Sequence, residues 1–228
     1  TDRTPGANPL NILELGDRIR DIRSNCDRLI VLYHGGRENY PYPSPKLQGA
    51  CRKMAECGAS LVLCQHSHCI GCYEKWENAT IVYGQGNFIF DVEDGEPCFD
   101  TGLLVRYGIG NFGADKVSFV PIVRTKGGAA LANEAKAEEI LDEFETRSRR
   151  IRVQGFVEAR FKAYAGEKKD VLLMAFVGDN TAMRTLNVLH GRKTSNMFSR
   201  ESKLKMLDYL MCESIHELLT EGLYHDVF

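Results

Sequence analysis

The sequence predicts an α/β region followed by an all-helical extension, and three observations carry that prediction. Short apolar runs at 29–33, 61–64 and 80–83 each stop at a polar cluster. Between the first two, apolar residues recur at spacings of three and four, the mark of a helix with one buried face. After residue 125 only that helical spacing remains. The division is drawn there, with 1–125 as the α/β part and 126–228 as the helical extension.

In chain order, 1–8 is a polar lead-in and a helix begins near Pro9. Ile12, Leu15, Ile19, Ile22 and Cys26 form its buried face. The run at 29–33 has almost no polar residue, which predicts a strand covered on both faces in a parallel or mixed sheet. The segment from Pro41 to Pro45 is too rich in proline for helix or central strand. Ser44 suits a helix cap with Pro45 in the first turn, Leu47, Ala50, Cys51 and Met54 form the inner face, and Gly58 ends the helix. The strand at 61–64 leads into Gln65-His66-Ser67-His68, and a ribbon around 72–76 turns at Glu77-Asn78 into the strand at 80–83. Residues 102–107 and 117–123 read as an antiparallel pair. Beyond the Thr125-Lys126-Gly127-Gly128 turn, Leu131, Ala135, Ile140, Leu141 and Phe144 mark one helix. Val153, Val157, Phe161 and Tyr164 mark a second, and Met183, Leu186 and Leu189 a short third. Leu204, Leu207, Met211, Ile215 and Leu218 mark a long last helix closed by Gly222.

Composition narrows the function classes. The 228 residues are 43% hydrophobic and 26% charged, with a net charge of −2, so no basic surplus points to nucleic acid. No apolar run approaches the roughly 20 residues that span a bilayer, and there is no amino-terminal signal pattern. The chain opens at Thr1 without a methionine, which fits a segment removed upstream. Of eight cysteines, Cys26, Cys51, Cys57 and Cys64 fall on apolar faces and read as small buried hydrophobes. That usage favours a reducing compartment such as the cytoplasm.

The chemistry concentrates at the three strand ends. Half of the six histidines sit there. His66 and His68 alternate along an extended backbone, which predicts that they face one side, with His34 arriving from the neighbouring loop. A single loop histidine is more often a hydrogen-bonding group. Three, each directly after an apolar strand, favour a divalent metal such as zinc, iron or manganese. Arg37 suits a phosphate or carboxylate, and Glu38 suits the orienting of an imidazole. Gly86-Asn87 offers a flexible backbone and a carboxamide beside a strand end. The pair Cys69 and Cys72 next to His66 and His68 leaves a small zinc-binding interaction module as an alternative, although a second cysteine pair is missing.

The three clusters, in this order, resemble the bacterial capsule synthesis protein family (CapA or PgsA), linked to poly-γ-glutamate. That family has an apolar strand ending in His-Trp-Gly with a following Glu-Tyr, then Gly-His-x-His, then Tyr-Ser-x-Gly-Asn-Phe-x-Phe-Asp. Here they read His34-Gly35-Gly36 with Glu38 and Tyr40, then Gln65-His66-Ser67-His68, then Tyr83-Gly84-Gln85-Gly86-Asn87-Phe88-Ile89-Phe90-Asp91. Gly35 replaces the tryptophan and Gln65 the glycine. The resemblance covers about residues 10–125 and implies the carboxyl-terminal half of a metallophosphoesterase-like mixed-sheet sandwich, the amino-terminal half being absent. It implies His34, His66 and His68 as metal-facing residues, His66 or His68 as a catalytic acid, and Asn87 and Asp91 at the rim of the site, to which Arg37 and Glu38 are added from the reading of the residues. A complete site would hold two divalent ions and hydrolyse a phosphate ester with a metal-activated water. Implied partners are the absent half of the fold, capsule or poly-γ-glutamate synthase components, or a second copy of the chain. The implied place is the bacterial cell envelope, against the cytoplasmic leaning of the cysteines. A non-catalytic accessory subunit that holds an anionic polymer fits the resemblance equally well.

Overall fold

Three largely apolar runs and the mixed Tyr-Glu-Lys-Trp segment, each of four residues, build the first sheet. β1 (Ile30–Tyr33), β2 (Leu61–Cys64), β3 (Tyr73–Trp76) and β4 (Ala79–Val82) lie in the order β1-β2-β4-β3. The β1–β2 and β2–β4 pairs are parallel, and β3–β4 is antiparallel. The computed structural model describes residues 11–89, 99–110, 115–178, 180–191 and 193–227. It divides into two units, Thr1–Phe161 and Lys162–Phe228.

Two helices precede the central strands. α1 (Ile12–Arg23) packs on α2 (Pro45–Glu56), and α2 covers β2, β3 and β4. The start of α2 follows the sequence reading: the Ser44 hydroxyl accepts from the Leu47 N–H at 3.1 Å, with Pro45 in the first turn. Gly58 follows the helix at φ +118°.

The second sheet is antiparallel: β5 (Thr101–Gly108), β6 (Lys116–Thr125) and β7 (Gly128–Leu131), in that order. α3 (Glu134–Arg150) packs on β3 and β6. One cluster of buried residues joins all of these: Leu61 and Leu63 of β2, Val82 of β4, Leu103 of β5, and Ile140 and Phe144 of α3. Polar ties reinforce it. The Ser148 hydroxyl accepts from the Tyr73 N–H at 2.9 Å and donates to the Phe144 carbonyl at 2.7 Å. Buried Glu74 is gripped by Arg52 through two nitrogens at 3.0 and 2.7 Å, and it accepts from the Tyr83 hydroxyl at 2.7 Å. Such a buried carboxylate is tolerable only because each oxygen is satisfied.

Five sequence expectations change. The sequence placed the division at 125/126, whereas the units meet at 161/162, because Ile140 and Phe144 belong to the same core as the strands. Leu131 belongs to β7, since the 125–128 turn closes a hairpin rather than starting a helix. The long last helix is two, α6 (Arg200–Met211) and α7 (Glu213–Val227), broken where Cys212 takes ψ 108°. Gly222 lies within α7 instead of ending it. Finally, β1, predicted to be covered on both faces, is an edge strand with one face half-buried through Val31 and Tyr33 and the other exposed. Ile30 and Leu32 stand in register with Leu61 and Leu63, yet are 44% and 65% exposed.

The second unit holds the rest of α4 (Phe156–Phe176), α5 (Thr181–Leu189), a 3-10 turn (Thr194–Met197), α6 and α7. Asn180 caps α5 and Ser199 caps α6 through their side-chain oxygens. Ser195 N–H donates to the Asp170 carboxylate at 2.6 Å, which ties the 3-10 turn to α4.

Candidate metal centre

Parallel pairing brings the carboxyl ends of β1, β2 and β4 side by side, so the three polar clusters emerge at one edge of the sheet. Backbone bonds lace them together. Gln65 N–H donates to the Tyr33 carbonyl (2.9 Å), Asn39 N–H to that of Ser67 (2.8 Å), and Gly86 N–H to that of Cys69 (3.2 Å). The crossing needs glycine. At Gly84 (φ +142°) a Cβ would lie 2.6 Å from the Ser67 hydroxyl, and at Gly86 (φ +70°) it would lie 2.5 Å from the Thr101 carbonyl. Gly35 has a different cause. The Tyr33 ring occupies the place of its Cβ, 2.3 Å away, so a side chain there requires Tyr33 to move. Burial pushes the Tyr33 phenol above its ordinary pKa.

The histidine pair departs from its predicted backbone. His66 has φ +108° and His68 φ +55°, so neither is extended, and strand alternation is not what brings them together. Such conformations cost about 1–3 kcal/mol each in a non-glycine residue and concentrate at functional sites. Their effect is local: the two rings stand 6.0 Å apart between centroids.

One oxygen of Glu38 and one nitrogen each of His66 and His68 lie within 4.8 Å of one another. His66 Nε2 is 3.8 Å from Glu38 Oε1, and its Nδ1 is 3.1 Å from His34 Nε2. At that separation His34 and His66 either share one proton or hold one ion together. A carboxylate with two imidazoles matches zinc, iron or manganese, so the set of Glu38, His66 and His68 fits a divalent metal, with His34 against the other nitrogen of His66. Glu38 therefore sits closer to the cluster than the orienting role assigned from sequence. His68 Nδ1 lies 2.9 Å from Asn87 Oδ1, and its ring stacks on Phe99 at 5.4 Å and 16°. Phe99 carried no sequence signal, since it follows Asn87 by twelve residues with no spacing rule between them.

Arg37 is exposed and lines a cavity of about 310 Å³ that also takes in Gly36, Ser44 and Lys46. A larger cavity of about 960 Å³, with no histidine in its lining, lies at the β6–β7 turn with Arg124, Lys126 and Lys136. Asp91 falls outside the described residues. Cys69 and Cys72 are buried and do not join the metal-type cluster, the only one among the described residues. Burial also drives the Cys72 thiol far above its ordinary pKa. No helix among the described residues is long and apolar enough to cross a membrane.

Comparison with known proteins follows the same stretch. A family described as bacterial capsule synthesis protein PGA_cap matches residues 2–92. The capsule biosynthesis protein CapA of Bacillus anthracis is 28% identical over 126 residues, covering 54% of this chain and 30% of its own length. The PGA biosynthesis protein CapA of Bacillus subtilis (strain 168) is 27% identical over 119 residues, covering 52% of this chain and 31% of its own. The chain thus spans less than a third of either relative. Over residues 2–92 the chain is similar to the bacterial capsule synthesis protein family.

Proposed function

We propose that this chain supplies the histidine-bearing part of a metal-dependent, phosphoesterase-like site used in capsule or poly-γ-glutamate biosynthesis. The observation that carries the reading is the convergence of Glu38, His66 and His68 within 4.8 Å, with His34 against His66. The family match and the relatives' printed roles supply the biological setting.

In this reading Glu38, His66 and His68 hold a divalent cation, and His34 shares in or orients His66. When bound, the cation supplies Lewis acidity toward a phosphoryl oxygen and toward water. Arg37 and Lys46 receive the negative charge of the substrate in their cavity beside Gly36. A second ion would need ligands from outside this chain. The exposed Ile30 and Leu32 on the edge strand give such a segment an apolar surface to pack on. The accessory-subunit reading uses the same Arg37 and Lys46 cavity to hold an anionic polymer without turnover.

The test is metal content and titration calorimetry with zinc and manganese on this chain. It is joined to phosphomonoester and phosphodiester assays on a longer version built with the relatives' remaining length. The expected result is one ion bound here, lost in Glu38→Ala and His66→Ala, and turnover in the longer version that His66→Ala and His68→Ala abolish. Turnover undiminished in both variants overturns the enzyme reading. Metal binding without turnover, with polymer production lost in Arg37→Ala, selects the accessory role.

A further inference from the structure

The least accounted-for contact in the site is the one between Asn87 and His68. Asn87 meets this residue twice: its Oδ1 lies 2.9 Å from His68 Nδ1, and its Nδ2 lies 3.4 Å from the His68 carbonyl oxygen. The second contact fixes the first. A backbone carbonyl can only accept, so the atom facing it must be the amide nitrogen, and the atom facing the imidazole must be the amide oxygen. Flipping the carboxamide would set two acceptors against each other. An amide oxygen also only accepts, so His68 Nδ1 must carry the hydrogen.

We infer that Asn87 is a positioning residue that locks His68 in the Nδ1–H tautomer, which places the ring's lone pair on Nε2. Three features hold the lock in place. The left-handed backbone of His68, at φ +55°, allows one side chain to reach both its ring and its carbonyl. Gly86, at φ +70°, carries Asn87 into position, and Asn87 N–H donates to the Thr101 carbonyl at 3.4 Å. The Phe99 ring, 9% exposed, stacks on the imidazole and limits its rotation. Asn87 is then no ligand and no oxyanion donor. It acts on the reaction only through His68, as groups behind metal-binding histidines do.

The inference rests on the metal reading only for its second measurement. The first is long-range proton–nitrogen correlation on the ¹⁵N-labelled, metal-free chain near pH 8.5, where an ordinary imidazole is neutral. His68 is expected as the Nδ1–H tautomer, in Asn87→Asp as well, whose carboxylate still accepts, and as the Nε2–H tautomer or a mixture in Asn87→Leu. The second is zinc affinity, expected to fall about 10–100-fold in Asn87→Leu and to be kept in Asn87→Asp. An Nε2–H tautomer in the parent chain overturns the inference, as does equal loss of affinity in both variants. If the parent binds no zinc while the tautomers behave as expected, the proposed function falls and the role of Asn87 stands.

Discussion

The two units of this chain contain helices of similar length and put them to opposite use. In the first unit α3 drives Ile140 and Phe144 into a core with strands from both sheets, and Phe144 is fully buried. In the second, the large apolar side chains face outward. Phe176 and Leu189 are each 76% exposed and Met211 is 82% exposed. Among its described residues only Tyr164, Thr194 and Ser195 are buried, two of them polar. A helix needs only local signals to form, such as the oxygens of Asn180 and Ser199 at their N-termini. Burial needs a facing surface, and most helical stability comes from that packing.

Substitutions sharpen this contrast. The largest effect belongs to Phe144→Ala, which leaves a cavity between α3, β3 and β6 and should cost about 3–5 kcal/mol in urea unfolding. Leu207→Ala, at a position 54% exposed, should stay within about 0.5 kcal/mol. Equal losses at the two positions would break the comparison, because they would mean that the second unit is packed as the first is. Next comes Ser148→Ala, which strips the Tyr73 N–H of its acceptor in the seam between α3 and β3. A loss of about 1–3 kcal/mol is expected, read from the same unfolding curves.

The smallest effect is a pH dependence confined to the first unit. Arg28 holds the Asp115 carboxylate far below its ordinary pKa, helped by the Tyr107 hydroxyl at 2.6 Å and the Gly110 N–H at 3.0 Å. A folded-state pKa that is depressed gives stability present above the unfolded value, about 3.9. That stability is lost as the pH falls through the lower folded value. Thermal midpoints followed from about pH 6 to about pH 2 should therefore fall less steeply in Asp115→Asn than in the parent chain. An unchanged acid limb would detach the Arg28–Asp115 pair from the stability of the fold.

Much of the first unit was legible beforehand because its signals are local. The Ser44-Pro45 start of α2, the strand at 61–64 and the antiparallel pair of β5 and β6 depend on residues within a few positions of each other. The misread elements needed information from far along the chain. Leu131 fits a helix or a strand equally well, and pairing of β7 with β6 decides between them. β1 reads as doubly covered because an apolar run has the same composition at the edge of a sheet as at its centre. The site shows the same split. His34, His66 and His68 stood out by their place after apolar strands, while Phe99 had no local mark at all.

By itself, the sequence determined which residue types stand at the ends of β1, β2 and β4. It also determined the glycines that let their loops cross and the family resemblance those clusters carry. Tertiary structure alone decided that His66 and His68 meet through left-handed backbone rather than strand alternation. It also decided that Glu38 closes on them and that Asn87 and Phe99 enclose His68. The reason is physical: a motif fixes chemistry along the chain, but distances between side chains follow from strand pairing and loop crossing, which no short window of residues contains.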